Sequence, residues 1–411
     1  MTRKVAVTGL GILSPLGVGL PAHRKRLLQG KAAIGELTLF DSRAHRTHLA
    51  GEVPADPRWE KAWSGNPRLS RSDRFALFAA EEALQMAGLG GQKLGPEVGV
   101  FLGSSTGGML EGEAVFAKLL ATPSGPVSVA RLGSHLHSAP AEAVAREFKV
   151  RGPIETNATA CSAASLAIMA ALEALRAGEC QIALAGGADA LCQMTYGGFN
   201  ALRLVDSAPC RPFRADREGL SLGEGAGLMV LESGDSAEAR GVPILAWLSG
   251  AAASCDAHHM TAPDEQGRGP SSAIQKALED AGRSPAELAL INAHGTGTPK
   301  NDEAESLALR LALGPDVLAE VPIFALKAYI GHLLGACGGV EAVATVLALQ
   351  EGRLYPLPGK EEPDPALGLR FARGKAEALG TQPAALSLNL AFGGANTALV
   401  FEVVANKEGR A

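Results

Sequence analysis

The chain has 411 residues, of which 46% are hydrophobic, 20% charged and only 4% aromatic, and it carries 50 glycines. Its 38 Lys and Arg against 43 Asp and Glu leave a formal charge of −5. That balance, with no basic tract, speaks against a nucleic-acid partner; the apolar content excludes a disordered chain, and the glycines lack the three-residue period of collagen.

In chain order, Val5–Thr8 predicts a short buried strand running into a Gly-rich turn at Gly9 and Gly11, followed by an amphipathic helix over 21–30. Residues 41–70 are polar, punctuated by Pro and Gly, and predict a surface excursion. A helix over 75–87 ends at Gly88, a strand follows over 98–102, and Gly103-Ser-Ser-Thr-Gly-Gly108 makes a small polar turn. A helix over 163–177 and a strand over 181–185 come next. A strand over 227–231 then leads into a charged helix and linker over 232–240. From about Val242 the alternation repeats, with strands over 244–248, 288–292, 323–325, 386–388 and 397–403 and helices over 271–281, 303–311 and 339–350. Alternating strands and helices in both halves predict a layered α/β protein.

The six cysteines form no CxxC pair, so no zinc ribbon or thioredoxin-like site is expected, and free thiols in a reducing cytoplasm are the default. Thr2-Arg3-Lys4 and the apolar stretch to Leu20 resemble a signal peptide, but Gly9, Gly11, Pro15 and Gly17 interrupt it and no small-x-small cleavage site follows. Elsewhere no run approaches the roughly 18 uninterrupted apolar residues of a membrane helix. Gly9-Leu-Gly11 follows a strand, yet the third glycine is Gly17, too far along for a dinucleotide turn, and no Walker A sequence occurs.

Asn157-Ala-Thr-Ala-Cys161-Ser places a cysteine at a strand-to-helix junction, where the helix dipole and free backbone N–H groups favour a thiolate and can hold an oxyanion. A buried core cysteine is the bland alternative. Asn292-Ala-His294-Gly-Thr296-Gly-Thr298 puts a histidine in a loop after a strand, and Lys327-Ala-Tyr-Ile-Gly331-His332 puts a second beside another turn. Neither has the i, i+4 spacing of a zinc helix, so no metal site is expected. The other seven histidines, His23 among them, read as surface residues. Ala391-Phe392-Gly393-Gly394 sets one aromatic in a glycine turn before the last strand, as core filler or as a mobile gate.

Together these segments resemble the β-ketoacyl-acyl carrier protein synthases of the synthase I/II group, in the thiolase-like superfamily. The resemblance runs over essentially the whole chain. It also takes in Val7-Thr-Gly-Leu-Gly11, Gly186-Gly187, Arg211-Pro-Phe213, Gly223-Glu-Gly-Ala-Gly227 and Asp256-Ala-His-His-Met-Thr261. It implies two pseudo-symmetric α/β halves in an α-β-α-β-α arrangement, 1–241 with the nucleophile and 242–411 with the histidines, lysine and gate. It further implies decarboxylative condensation of a Cys161-bound acyl chain with a malonyl-carrier thioester, with no cofactor beyond the carrier's phosphopantetheine arm. His294 and His332 would act on the malonyl group, supported by Lys327 and Glu341, and the backbone N–H groups of Cys161 and Phe392 would form the oxyanion hole. Thr296 and Thr298 would hold the pantetheine, Phe392, Leu390 and Ala391 the gate, and Thr106 and Phe199 the acyl pocket. The His/His pair separates the chain from the synthase III group.

The chain departs from the family pattern in three places, counting Thr106: Leu390 and Ala391 replace an aromatic and a glycine, and Leu388-Asn389 replaces an Asn-Ser pair tied to a structural cation. Thr106 stands where fatty-acid synthases often carry a bulky aliphatic residue, which suggests a polyketide or polyene chain. The expected partners are an acidic acyl carrier protein, docked through Arg68, Arg71, Arg74, Arg211, Arg214 or Arg217, and a second subunit. That subunit would be a like copy or a chain-length-factor-like protein. A non-catalytic chain-length factor would lack the nucleophile, which this chain retains. A degradative thiolase would need a second cysteine in a glycine turn near the C-terminus, whereas Cys337 lies in a helical stretch. A cysteine hydrolase would not need the His pair.

Overall fold

Strand β1 runs over Val5–Ser14 and is buried along its whole length. The expected turn at Gly9 and Gly11 is therefore strand. A Cβ on Gly9 would lie 2.1 Å from the Ala83 carbonyl oxygen, and one on Gly11 1.9 Å from that of Ala79. Both glycines let helix α1 (Arg71–Met86) rest directly on the backbone of β1. The computed structural model describes residues 5–122, 126–359 and 362–404, so Thr2-Arg3-Lys4 lies outside the described residues.

The remaining strands of the first half are β2 (Val98–Gly103), β3 (Ile154–Asn157), β4 (Ile182–Asp189) and β5 (Gly225–Ser233). Those of the second half are β6 (Ala246–Cys255), β7 (Leu288–Asn292), β8 (Pro322–Phe324), β9 (Arg370–Phe371), β10 (Ala384–Leu390) and β11 (Ala395–Glu402). They pair in the order β9-β8-β7-β10-β11-β6-β1-β5-β4-β2-β3. Reading outward from the seam, the first half runs β1, β5, β4, β2, β3 and the second β6, β11, β10, β7, β8. In each half the strands from the third outward are mutually parallel and the two nearest the seam are antiparallel to their neighbours, so the halves repeat one topology over five strands, with β9 added at the far edge of the second. They meet in a short antiparallel pairing of Val5–Val7 with Ala246–Leu248.

Helices fill the layers. Helix α3 (Ala163–Ala177) packs on β2 and β4 and reaches β6 and β11, while α7 (Cys337–Glu351) packs on β5 and β10. These two helices form the middle layer. Outside them, α1 covers the first half, and α5 (Arg268–Ala281) with α6 (Pro299–Leu313) covers the second. Period-2 alternation serves two cores at once: Met229 and Leu231 of β5 join the central core, Leu228 and Val230 the outer one. This is the thiolase-like α-β-α-β-α layering that the resemblance implied. The apolar run Ala160–Ala177 is long enough to cross a membrane by length and composition, and most of it is buried as the central helix.

Helix α3 occupies the residues expected of it, and Leu288–Asn292 matches as a strand. Helix α1 starts four residues earlier than expected, because Ser70 and Asp73 close a reciprocal capping box. Helices α2 (Met109–Ala121) and α4 (Gln193–Ala201) were not anticipated. Their outward faces carry Phe116, Leu120 and Met194, which blur the periodicity that marks a solvent-facing helix. The excursion over 41–70 is only partly surface, since Thr47, Ala50, Val53 and Trp59 are buried. His23 is also buried, bonded through Nε2 to Ser14 Oγ (2.7 Å) and through Nδ1 to the Gly19 carbonyl (2.9 Å).

Candidate active site

Strand β3 ends at Asn157, Ala160 takes a left-handed backbone (φ 50°), and a single tight turn over Ala160–Ser162 delivers Cys161 to the mouth of α3. The thiol is buried, and the backbone N–H groups of Cys161 itself and Phe392 act on it. Position alone suggested a lowered pKa. Instead burial pushes the thiol up to about 11, and the opposing pull of Lys327 and the two N–H groups is smaller. Alkylation of Cys161 by iodoacetamide is therefore expected to keep accelerating with pH to at least about pH 9, because the thiolate is the reactive form. A rate profile from peptide mass spectrometry that levels off at or below neutrality would overturn this.

His294 follows β7 and His332 follows the short helix Lys327–Ile330. Their rings lie 5.7 Å apart and perpendicular, and the thiol and one nitrogen of each ring lie within 4.8 Å of one another. Lys327 Nζ sits 3.1 Å from His294 Nδ1, 2.7 Å from the His294 carbonyl oxygen and 2.5 Å from Glu341 Oε1. Burial is the largest influence on Lys327 and works to discharge it, but the groups facing it, Glu341 first among them, together outweigh burial and hold the lysine as an ammonium. An ammonium only donates, so His294 Nδ1 accepts and its proton sits on Nε2. The Leu334 N–H donates to His332 Nδ1 at 3.0 Å, which places that ring's proton on Nε2 as well. Burial first, then the Lys327 charge, depresses both histidines, His332 to about 3, so both are neutral at physiological pH.

Cys161, His294 and His332 have the donor types of a metal site. Their surroundings do not suit one. A metal on Nε2 needs the proton on Nδ1, which should then donate to an acceptor. Here both Nδ1 atoms already face donors. The arrangement instead presents two N–H donors toward the thiol.

Several holding residues escaped the sequence reading. Glu305 accepts the His294 and Gly295 N–H groups at 2.6 and 2.8 Å, and Asp302 accepts that of Phe213 at 2.7 Å; both are fully buried. Burial pushes Glu305 up to about 7. Their signal was two acids in the first turns of the helix that follows the histidine loop. Asn389 donates to Glu341 Oε2 at 2.7 Å and accepts from Ser165, so it braces the Lys327–Glu341 pair.

A cavity of about 470 Å³ opens at Cys161, His294 and His332 and is lined by Phe199, Thr296, Thr298, Leu390, Ala391 and Phe392. The two threonine hydroxyls are bonded at 2.8 Å, and Phe392 stacks on Phe199 at 5.6 Å. Ala391 has an extended backbone (φ −122°), so its methyl is unstrained; Gly393 and Gly394 alone take the left-handed region in this turn. Thr106 does not line the cavity. Its hydroxyl is bonded to Asp189 Oδ1 (2.8 Å) and the Ala190 carbonyl (3.1 Å) and so is turned to the interior.

Most of the expected docking arginines serve the interior. Arg71 pairs with Glu224 beneath Trp59 and Phe75, Arg214 is buried against the Pro358 carbonyl, and Arg217 faces Asp302, Glu303 and Asp364. Arg211 bridges Asp206 and Asp216, Arg74 is half-buried, and Arg68 is exposed. Buried acids hold Arg71, Arg211 and Arg217 in these places.

A buried thiol at a helix mouth, two neutral histidines within 4.8 Å of it and a cavity that opens on all three are the setting of an acyl-transferring condensing enzyme. Residues 2–237 match the beta-ketoacyl synthase N-terminal domain and residues 245–360 the beta-ketoacyl synthase C-terminal domain. The chain belongs to the beta-ketoacyl synthase family. It is 36% identical to the 3-oxoacyl-[acyl-carrier-protein] synthase 2 of Synechocystis, over 97% of this chain and 98% of the relative. It is 33% identical to the synthase 2 of Staphylococcus aureus, with the same coverage. Among solved structures, the ishigamide ketosynthase/chain length factor superposes with a TM-score of 0.91 at 32% identity, covering 98% of this chain and 100% of that one. A beta-ketoacyl synthase from Burkholderia phymatum gives 0.89 at 33% identity, with the same coverage.

Proposed function

We propose that the chain lengthens carrier-bound acyl chains by two carbons, the reading carried above all by the convergence of Cys161, His294 and His332 within 4.8 Å. The Cys161 sulfur attacks an acyl-carrier thioester, the pantetheine thiol leaves with the proton, and the N–H groups of Cys161 and Phe392 hold the transient oxyanion. A malonyl thioester then enters past Thr296 and Thr298. Its carbon–carboxylate bond breaks, carbon dioxide departs, and the electron pair forms an enolate whose oxygen receives the Nε2–H donors of His294 and His332. The enolate carbon attacks the Cys161 thioester, forming the new carbon–carbon bond and expelling the Cys161 thiolate. Neutral histidines suit this chemistry because an N–H donor stabilises the enolate without protonating it. The enzyme needs no cofactor beyond the carrier's arm.

An acyl carrier protein is the partner in this reading. One solved neighbour is described as a type II polyketide synthase acyl-carrier protein in complex with its ketosynthase. A second subunit, a like copy in the first instance, would cover the exposed Phe116, Leu120, Leu132 and Leu136. A chain-length-factor-like subunit would fit the same face; a Xenorhabdus doucetiae ketosynthase is described in complex with its chain length factor. The six free cysteines support a reducing, cytoplasmic setting.

Incubation with an acyl-carrier and a malonyl-carrier thioester is expected to give a 3-oxoacyl carrier two carbons longer, read by mass spectrometry. Release of free acid or no mass gain would overturn the reading.

A further inference from the structure

Asp189, at the end of β4, is fully buried in the first half, and no step above uses it. Its Oδ1 accepts from Ser104 Oγ (2.8 Å), Thr106 N (2.8 Å), Thr106 Oγ1 (2.8 Å) and Ser105 N (3.0 Å). Its Oδ2 accepts from Ser105 N (2.9 Å) and from the Gly335 N–H (2.7 Å), which belongs to the other half. A Cβ at Gly335 would sit 2.7 Å from Oδ2, so glycine there permits the approach. Gly335 directly follows Leu334, a non-glycine residue held at φ 54°, whose N–H fixes the His332 tautomer at 3.0 Å.

We infer that Asp189 is a positioning residue: through Gly335 it fixes the turn that aims His332 Nε2–H at the thiol. The carboxylate anchors a strained turn of one half to a rigid strand of the other. Burial works against the charged carboxylate, and the surrounding donors work for it. Asp189 reaches the Cys161 turn only by way of Ser105, whose hydroxyl donates to the Ala160 carbonyl at 3.3 Å, against the direct 2.7 Å bond from Gly335 on the His332 side. Asp189 therefore acts mainly on the decarboxylating step and changes acyl loading far less. The inference rests on the proposed condensation.

The test is Asp189→Asn, with two readouts: acyl loading of Cys161 by intact mass, and malonyl-carrier decarboxylation by carbon dioxide release. Both carboxylate oxygens only accept, so the Asn NH2 must face a donor whichever way it turns. Loading is expected to stay within about threefold while decarboxylation falls at least about tenfold, mainly in kcat, the usual scale for groups that orient an active side chain. A folded variant with wild-type decarboxylation, or with both steps reduced alike, overturns the inference. If the variant does not fold, Thr106→Val decides, since it removes one donor and keeps the carboxylate; a severalfold loss of decarboxylation alone supports Asp189, and no change overturns it. Wild-type protein that loads but never condenses would instead overturn the proposed function.

Discussion

Replacing Cys161 with alanine is expected to lower condensation by about four to six orders of magnitude, the scale seen when a covalent nucleophile is removed. No other thiol can take over. Cys337, the neighbour on the far side of His332, accepts the Leu333 N–H at 3.1 Å and is buried, with burial raising its thiol well above the usual value. The same variant should keep decarboxylating malonyl carrier, because nothing that orients the imidazoles passes through the cysteine. Lys327 and Glu305 hold the His294 loop, and Leu334 holds His332. Carbon dioxide release without a two-carbon product would show both halves of the expectation at once. Wild-type elongation by the alanine variant would remove Cys161 from the mechanism.

Cys161 and both histidines were legible because each sits at a turn rich in small residues beside a regular element, a local pattern. Asp189 and Glu305 were not, since their roles depend on partners such as Gly335, 146 residues away for Asp189, or on a fold of the loop that periodicity does not encode. Gly9 and Gly11 misled for a related reason. A glycine that admits a helix and a glycine that makes a turn look alike until the helix is placed. The arginines misled in the opposite direction: charge predicts exposure, yet Arg71 and Arg217 are drawn inward by the buried acids Glu224 and Asp302. What local sequence shows is the chemistry presented to the cavity. What it hides is the scaffold of buried carboxylates that aims it.

The second large effect concerns that scaffold. Lys327 and Glu341 are each about nine-tenths or more buried, with side chains 1% and 2% exposed, and lie 2.5 Å apart. Lys327→Ala strands the Glu341 carboxylate with Asn389 as its remaining side-chain donor. Breaking a buried pair from one side costs about 3–5 kcal/mol, and the apparent melting midpoint should fall by many degrees. Burial, the largest influence on Glu341, already raises it, and loss of the lysine removes the chief opposing charge. Glu341 would then stay protonated in the folded variant at pH values where the unfolded chain has released its proton. Such a raised carboxyl favours folding only on the acid side, so the variant's deficit against wild type should widen as pH rises above the ordinary carboxylate range. Lys327→Met with Glu341→Gln removes both charges and should recover most of the stability. It should not recover turnover, because His294 Nδ1 still lacks the ammonium that keeps its proton on Nε2, and a loss of about a hundredfold to a thousandfold in kcat should persist. Recovery of turnover with stability would reduce Lys327 to a structural charge; stability without turnover keeps it in the reaction.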